Sequence, residues 1–105
     1  MATVFQGNKQ FQGMFSEMWA VTETVNFGNA AVGSGTFASV DVTVPNVALG
    51  DILLGVTVGV DTVDAVIGGA VTAANVVTLT LLNNSAGAVD LASTTCKFVV
   101  ARPSW

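Results

Sequence analysis

The sequence predicts an all-β fold, namely a small β-sandwich or a jelly-roll-like barrel with an N-terminal arm. Three observations lead to this prediction. Apolar and polar residues alternate over short segments, turn-forming residues separate these segments, and no helical pattern is visible after residue 20. At 105 residues the chain is long enough for one domain with one core. We therefore predict an arm or short helix over 1–18 and a β-sandwich domain over 19–105.

The predicted arm begins with a polar stretch over 1–12 that is rich in glutamine and glycine. Apolar residues then follow with the spacing of one helix face, at i, i+3, i+4, i+7 and i+8. They are Phe11, Met14, Phe15, Met18 and Trp19. Because so short a helix is not stable alone, it must lie either against its own domain or against a neighbouring subunit.

The domain itself begins with a segment of period two. Its apolar face consists of Trp19, Val21, Val25 and Phe27, and Glu23 interrupts the pattern. This alternation predicts a strand with one buried face. The small residues over 28–35 then predict a loop before the next strand.

The segment 38–60 predicts two strands joined by a corner. Up to Val44 the even-numbered residues are apolar and the odd-numbered ones polar, so one set faces the core. Pro45 lacks an N–H group and ends the first strand. Turn residues at Gly50 and Asp51 lead into a second alternating strand from Ile52.

In this second strand the pattern predicts which residues face the core and which face outward. The core-facing set is Leu54, Val56, Val58 and Val60. The outward set includes Leu53, Gly55 and Gly59, and we predict these three at an oligomer interface, because glycine in a strand leaves room for another backbone. Across the whole chain, the predicted core consists of Val42, Val44, Leu54, Val56, Val58, Leu79, Leu81 and Phe98.

The C-terminal half supplies the remaining strands. A turn at 61–64 precedes a strand of small residues over 65–72, and 73–75 forms the next tight turn. Val77, Leu79 and Leu81 alternate with threonines in a strand that ends near 83–87. The last strand covers 94–100. Its alternation places Cys96 in the core, as a buried thiol without a disulfide partner.

The composition predicts that part of the surface is covered by other chains. Hydrophobic residues make up 51% of the sequence and charged residues only 10%, against about 25% charged in typical domains. The uncharged segment 65–89 is long enough to span a bilayer, but glycine, asparagine and threonine interrupt it and no lysine or arginine flanks it. We therefore predict a homo-oligomer, most simply a homotrimer with cyclic symmetry, and no membrane span.

The charged and reactive residues exclude several function classes. The net charge is −4 with only three basic residues, so nucleic-acid binding is not expected. No histidine or tyrosine is present, which removes the usual general base. Aspartates at 51, 61, 64 and 90 could contribute calcium ligands, but they lack EF-hand spacing. We predict no enzymatic activity, no cofactor and no metal site.

Four segments carry a resemblance to a known group of proteins: 42–51, 70–79, 83–87 and 89–93. As a set they resemble the small β-domains of tailed-phage structural proteins, among them capsid decoration (cement) proteins and head-fibre proteins. The resemblance covers roughly the C-terminal 65 residues, whereas the first 35 carry no matching motif. It implies a homotrimeric β-domain on a capsid lattice, without enzymatic activity.

The expected function is therefore that of a virion structural protein. It would bind the major capsid protein at the outer capsid surface and stabilise the capsid as a homotrimer. The apolar residues of the arm are the predicted capsid contacts: Phe11, Met14, Phe15, Met18 and Trp19. The alternative is a carbohydrate-binding module of the head-fibre or adhesin type. The two tryptophans, Trp19 and Trp105, lie near the chain termini, which weakly favours interaction surfaces over a sugar cleft.

Overall fold

A computed structural model describes residues 3–7, 14–27, 37–60, 62, 65–83 and 93–105. Within these ranges the chain forms seven β-strands and no helix, which confirms the predicted all-β sandwich. The strands are β1 (Thr3–Gly7), β2 (Phe15–Val25), β3 (Phe37–Thr43), β4 (Ile52–Val58), β5 (Ala65–Ala73), β6 (Val76–Asn83) and β7 (Thr94–Pro103).

The strands form two antiparallel sheets with a nested order. One sheet has the order β1-β2-β7-β4 and the other has the order β3-β6-β5. Strand β2 pairs with β7 and β3 pairs with β6, so the second half of the chain folds back along the first. Strand β4 then adds to the other edge of β7, and β5 to the other edge of β6. This is the nesting of a shortened jelly roll, with β1 as an additional edge strand.

The core lies between the two sheets, where the inward residues of each strand meet. Most of the predicted core is confirmed: Val42, Val44, Leu79, Leu81 and Phe98 are buried, and Val56 and Val58 pack partly buried against them. Trp19, Val21 and Val25 on the inner face of β2 are buried as predicted, and so is Phe27, which follows the strand. The alternation of apolar and polar residues therefore identified the inner face of these strands.

The start of β4 departs from the predicted alternation. Leu54 is 49% exposed, although the pattern predicted it in the core, and Leu53 packs against the core instead. The pairing with β7 shifts between Leu53 and Gly55, which is a β-bulge. A bulge inserts one extra residue into the strand. The residues before it therefore lie on the face opposite to the one that an uninterrupted alternation predicts. The predicted outward orientation of Leu53 is therefore wrong.

The corner between β3 and β4 and the turn between β5 and β6 are confirmed, and they contact each other. Asn75 adopts a positive φ of 66° in that turn. Its backbone N–H donates to the carbonyl of Val47 (2.9 Å), and its carbonyl accepts from the N–H of Val44 (2.9 Å). Its side-chain Oδ1 accepts from the N–H of Asn46 at 2.8 Å. These bonds satisfy the backbone of the corner after Pro45 has ended the strand.

The predicted N-terminal helix is wrong over the residues that the structure describes. Phe15, Met18 and Trp19 belong to β2, so the predicted boundary between 18 and 19 falls inside a strand. Strand β2 pairs with β1 on one side and with β7 on the other, which satisfies backbone groups that a short isolated helix leaves unpaired. Phe11 lies outside the described residues.

Other predictions also fall outside the described ranges. They are the loop over 28–35, most of the turn over 61–64 and the break after β6 beyond Asn83. In the described part of the chain, no helix is long and apolar enough to cross a membrane.

Candidate attachment surface

Large apolar side chains are exposed where the start of β2 meets the end of β7. Met14 is 56% exposed and Trp105 is 77% exposed. The rings of Phe15 and Trp105 lie 5.8 Å apart at an interplanar angle of 50°, a favourable tilted aromatic arrangement. The N–H of Ser104 donates to the carbonyl of Met14 at 2.9 Å. Met14, Phe15 and Trp105 therefore form one preformed surface, which we name the Met14–Trp105 patch.

A charged cluster fixes the chain directly before this patch. Arg102 binds Asp51 through two parallel hydrogen bonds, from Nε to Oδ1 and from Nη2 to Oδ2, each 2.9 Å long. Nη2 also donates to the carbonyl of Asn46 at 2.8 Å. Oδ2 of Asp51 accepts in addition from the N–H of Ala48 at 2.9 Å. Arg102 thus ties the β3–β4 corner to the end of β7.

The bond to Asp51 also favours the charged form of the Arg102 guanidinium. The hydrogen bond with this carboxylate raises the pKa of the Arg102 guanidinium above its ordinary value, although partial burial opposes the shift. The side chain of Asp51 is only 4% exposed. Because a buried carboxylate without a partner is costly, the pair is a fixed element of the fold.

Trp19 is not part of any surface. Its side chain is fully buried, so it is not available for contact with another molecule, and that part of the predicted capsid contact is wrong. The Arg102 guanidinium lies 5.1 Å from the centroid of the Trp19 ring, within the range of a cation–π contact. The indole Nε1–H has no hydrogen-bond partner among the described residues. Such an unpaired buried donor costs roughly 1–3 kcal/mol.

The predicted contact residues therefore divide into three groups. Met14 is exposed, Phe15 and Met18 are half-buried, and Trp19 is buried. The structure brings Trp105 to Met14 and Phe15, which the sequence did not predict, because residues 90 positions apart meet only through the pairing of β2 with β7. The signal available in the sequence was the presence of Trp105 itself, because tryptophan is enriched at interaction surfaces.

Two further concave features lie elsewhere on the sandwich. A cavity of about 740 Å³ opens between β3 and the β1–β2 hairpin, lined by apolar residues such as Val4 and Val40 together with Glu23 and Asp41. The hydroxyl of Thr78 donates to Oδ1 of Asp41 at 2.7 Å. Among the described residues, no group of three or more metal-ligating side chains is present.

The second concave feature is a depression of about 510 Å³ on the outer face of the four-stranded sheet. Ala20, Val99 and Gly55 lie side by side there, and the next row contains Lys97. A Cβ atom added at Gly55 would meet nothing within 4 Å, whereas one at Gly59 would lie 3.1 Å from Oγ1 of Thr94. The space beside Gly55 is therefore open in this chain, so its place at an oligomer interface stays a prediction, and Gly59 contacts its own chain.

Comparisons with protein-family models, with curated proteins and with solved structures return no match for this chain. A β-sandwich supports many unrelated functions. The function is therefore argued from the exposed surfaces and from the residues that build them.

Proposed function

We propose that the chain is a non-enzymatic structural protein of a virion, a capsid decoration (cement) protein. In this proposal it binds the major capsid protein on the outer capsid surface as a homotrimer and stabilises the capsid. The observation that carries the proposal is the Met14–Trp105 patch, in which a tryptophan and a methionine remain exposed beside a fixed ring contact. The resemblance in the sequence supplies the class of partner.

The patch has the physical properties of a docking anchor. Removing apolar surface from water contributes about 25 cal/mol per Å², and tryptophan supplies a large area with little side-chain entropy to lose. The Arg102–Asp51 pair fixes the chain next to Pro103 and Trp105, so little ordering is left for binding. In a trimer three such patches act together, since the second and third contacts become intramolecular.

Capsid binding by variants tests the proposal. Trp105→Ala and the double variant Met14→Ser with Trp105→Ala are mixed with purified capsids that lack the protein, and occupancy is measured by sedimentation and densitometry. Loss of an interface tryptophan costs on the order of 2 kcal/mol or more, which is more than tenfold in affinity. Leu49→Ser is the matched control, because Leu49 is exposed on the corner outside the patch. Unchanged occupancy for both patch variants would contradict the assignment.

The second candidate is a carbohydrate-binding module of a head-fibre or adhesin. The exposed ring of Trp105 favours it, because aromatic faces are suited to stacking on sugars. A glycan array separates the two functions. Binding to defined glycans that is lost in Trp105→Ala, together with no binding to capsids, would replace the first proposal with this one.

A further inference from the structure

Lys97 is a basic residue on the outer face of the four-stranded sheet. It lies on the central strand β7, between Thr22 on β2 and Thr57 on β4. Among the described residues it makes no ion pair, in contrast to Arg102, which is bound to Asp51. The depression around Gly55 lies beside it, so a positive charge and an open apolar hollow adjoin on one surface.

Strand β3 carries the opposite combination of features. Phe37 is 68% exposed, and Asp41 is exposed four residues further along the same strand. Because side chains alternate between faces, both project from the same outer face. Strand β3 is an edge strand of the three-stranded sheet, and both side chains are exposed on its outer face. The described partner of Asp41 is the hydroxyl of Thr78 rather than a cation.

We propose that β3 of one copy docks on the outer face of the four-stranded sheet of a second copy. Phe37 fills the depression at Gly55, and Asp41 pairs with Lys97. The inference rests on the homotrimer of the proposed function and names the residues that hold it together. It also gives Gly55 the interface role that the sequence predicted.

The spacing of the two surfaces agrees with this contact. Four residues along a strand separate Phe37 from Asp41 by about 13 Å. Gly55 pairs with Val99, two residues from Lys97 on the adjacent strand, which corresponds to about 8 Å between the Cα atoms of Gly55 and Lys97. The flexible four-carbon stem of lysine spans the remaining distance.

The contact also has the type of symmetry from which a ring can be built. Each copy uses two different surfaces, β3 and the Lys97 face, so the contact is heterologous, and heterologous contacts generate closed rings when the rotation closes. Opposite charges in the contact set its register and disfavour wrong pairings.

Charge reversal with rescue tests the proposal. Lys97→Glu, Asp41→Lys and the double variant that carries both changes are compared with the wild type by sedimentation velocity at equal concentration. Each single variant places like charges together and is expected to weaken association at least tenfold. The double variant restores opposite charges and should return to the mass of the wild type. Single variants that associate normally, or a double variant as weak as the singles, would overturn the contact.

The apolar half of the contact has its own test and control. Phe37→Ser and Gly55→Leu, which fills the depression, are both expected to weaken association by a similar factor. Val66→Ser is the matched control, because Val66 is exposed on β5 at the other edge of the same sheet. Circular dichroism verifies that each variant is folded. A folded wild type that stays monomeric at micromolar concentration overturns the inference, whereas a wild-type oligomer that does not bind capsids contradicts only the proposed function.

Discussion

On one side of the sandwich the edge strands β4 and β5 contact each other, whereas on the other side β1 and β3 stand apart around a cavity of about 740 Å³. The side on which β4 and β5 meet, the closed side, depends on the absence of a side chain at Gly69. A Cβ atom at Gly69 would lie 3.0 Å from Cδ2 of Leu53, 2.5 Å from the carbonyl oxygen of Thr78 and 3.2 Å from the Cα of Leu79. Glycine at 69 is therefore what allows Leu53 to enter the core and join the two sheets.

The side on which β1 and β3 stand apart, the open side, carries charged side chains instead. Glu23 occupies a core-facing position of the alternation on β2 and lines the cavity together with Asp41. A charged side chain that faces the core disfavours close apolar packing around it. The two sheets therefore meet where Gly69 leaves room for Leu53 and stay apart where Glu23 faces the cavity. On this side both β1 and β3 therefore keep an edge without a described partner strand.

The largest expected effect concerns the residue that lies between the two sides. Leu79 on β6 pairs with Val40 on β3 and with Gly69 on β5, and its side chain is fully buried. Leu79→Ala is expected to lower the free energy of unfolding by about 2–5 kcal/mol. Val40→Ala, at the half-buried margin of the open cavity, should cost about 1 kcal/mol. Urea denaturation at equal protein concentration measures both, and equal costs would show that the open side is packed as tightly as the centre.

Adjacent glycines test the closed side directly. Gly69→Ala should destabilise the fold by about 1–3 kcal/mol, because the new methyl group meets backbone atoms that cannot move away. Gly68→Ala is the matched control, since a Cβ there would meet nothing within 4 Å. That substitution should be neutral or stabilising by up to about 1 kcal/mol. Thermal unfolding compares the pair, and equal melting temperatures would mean that contact at Gly69 does not limit closure.

The Arg102–Asp51 pair ties the β3–β4 corner to the end of β7. Arg102→Lys removes the two parallel bonds to Asp51 and is expected to cost about 1–3 kcal/mol. Because the contact raises the pKa of Arg102, its stabilisation is present at neutral pH and is lost only as the pH rises through the raised, strongly alkaline value. A double-mutant cycle with Asp51→Asn isolates the pair. Additive costs in that cycle would contradict a direct coupling.

The smallest effect concerns Cys96, which lies between Glu23 of the open side and Val58 of the closed side. Burial raises the pKa of its thiol above the ordinary value of 9.0. The unfolded chain therefore loses this proton first, and stability should decline slightly as the pH rises above that value. Cys96→Ala should abolish this alkaline decline. Rapid reaction of the native thiol with a labelling reagent at neutral pH would contradict its burial.

Much of the fold follows from the sequence because its signals are local. The alternation around Val42, Leu79 and Phe98 identified the inner faces, and Pro45 marked the end of β3. These features depend on side-chain polarity and backbone chemistry within a few residues. The helical spacing of Phe15, Met18 and Trp19 was equally local and was wrong, because pairing with β1 and β7 satisfied the backbone in a way that a short helix does not.

The sequence by itself thus determined the fold class, most of the core and the corners. Only the tertiary structure decided the register of β4, the meeting of Trp105 with Phe15, and the burial of Trp19 beside Arg102. The candidate surface was predicted in part, through Met14 and Phe15, and its Trp105 component was not. The physical reason is that a bulge, a ring contact and an ion pair each depend on a partner strand far away in the sequence, and local periodicity contains no information about that partner.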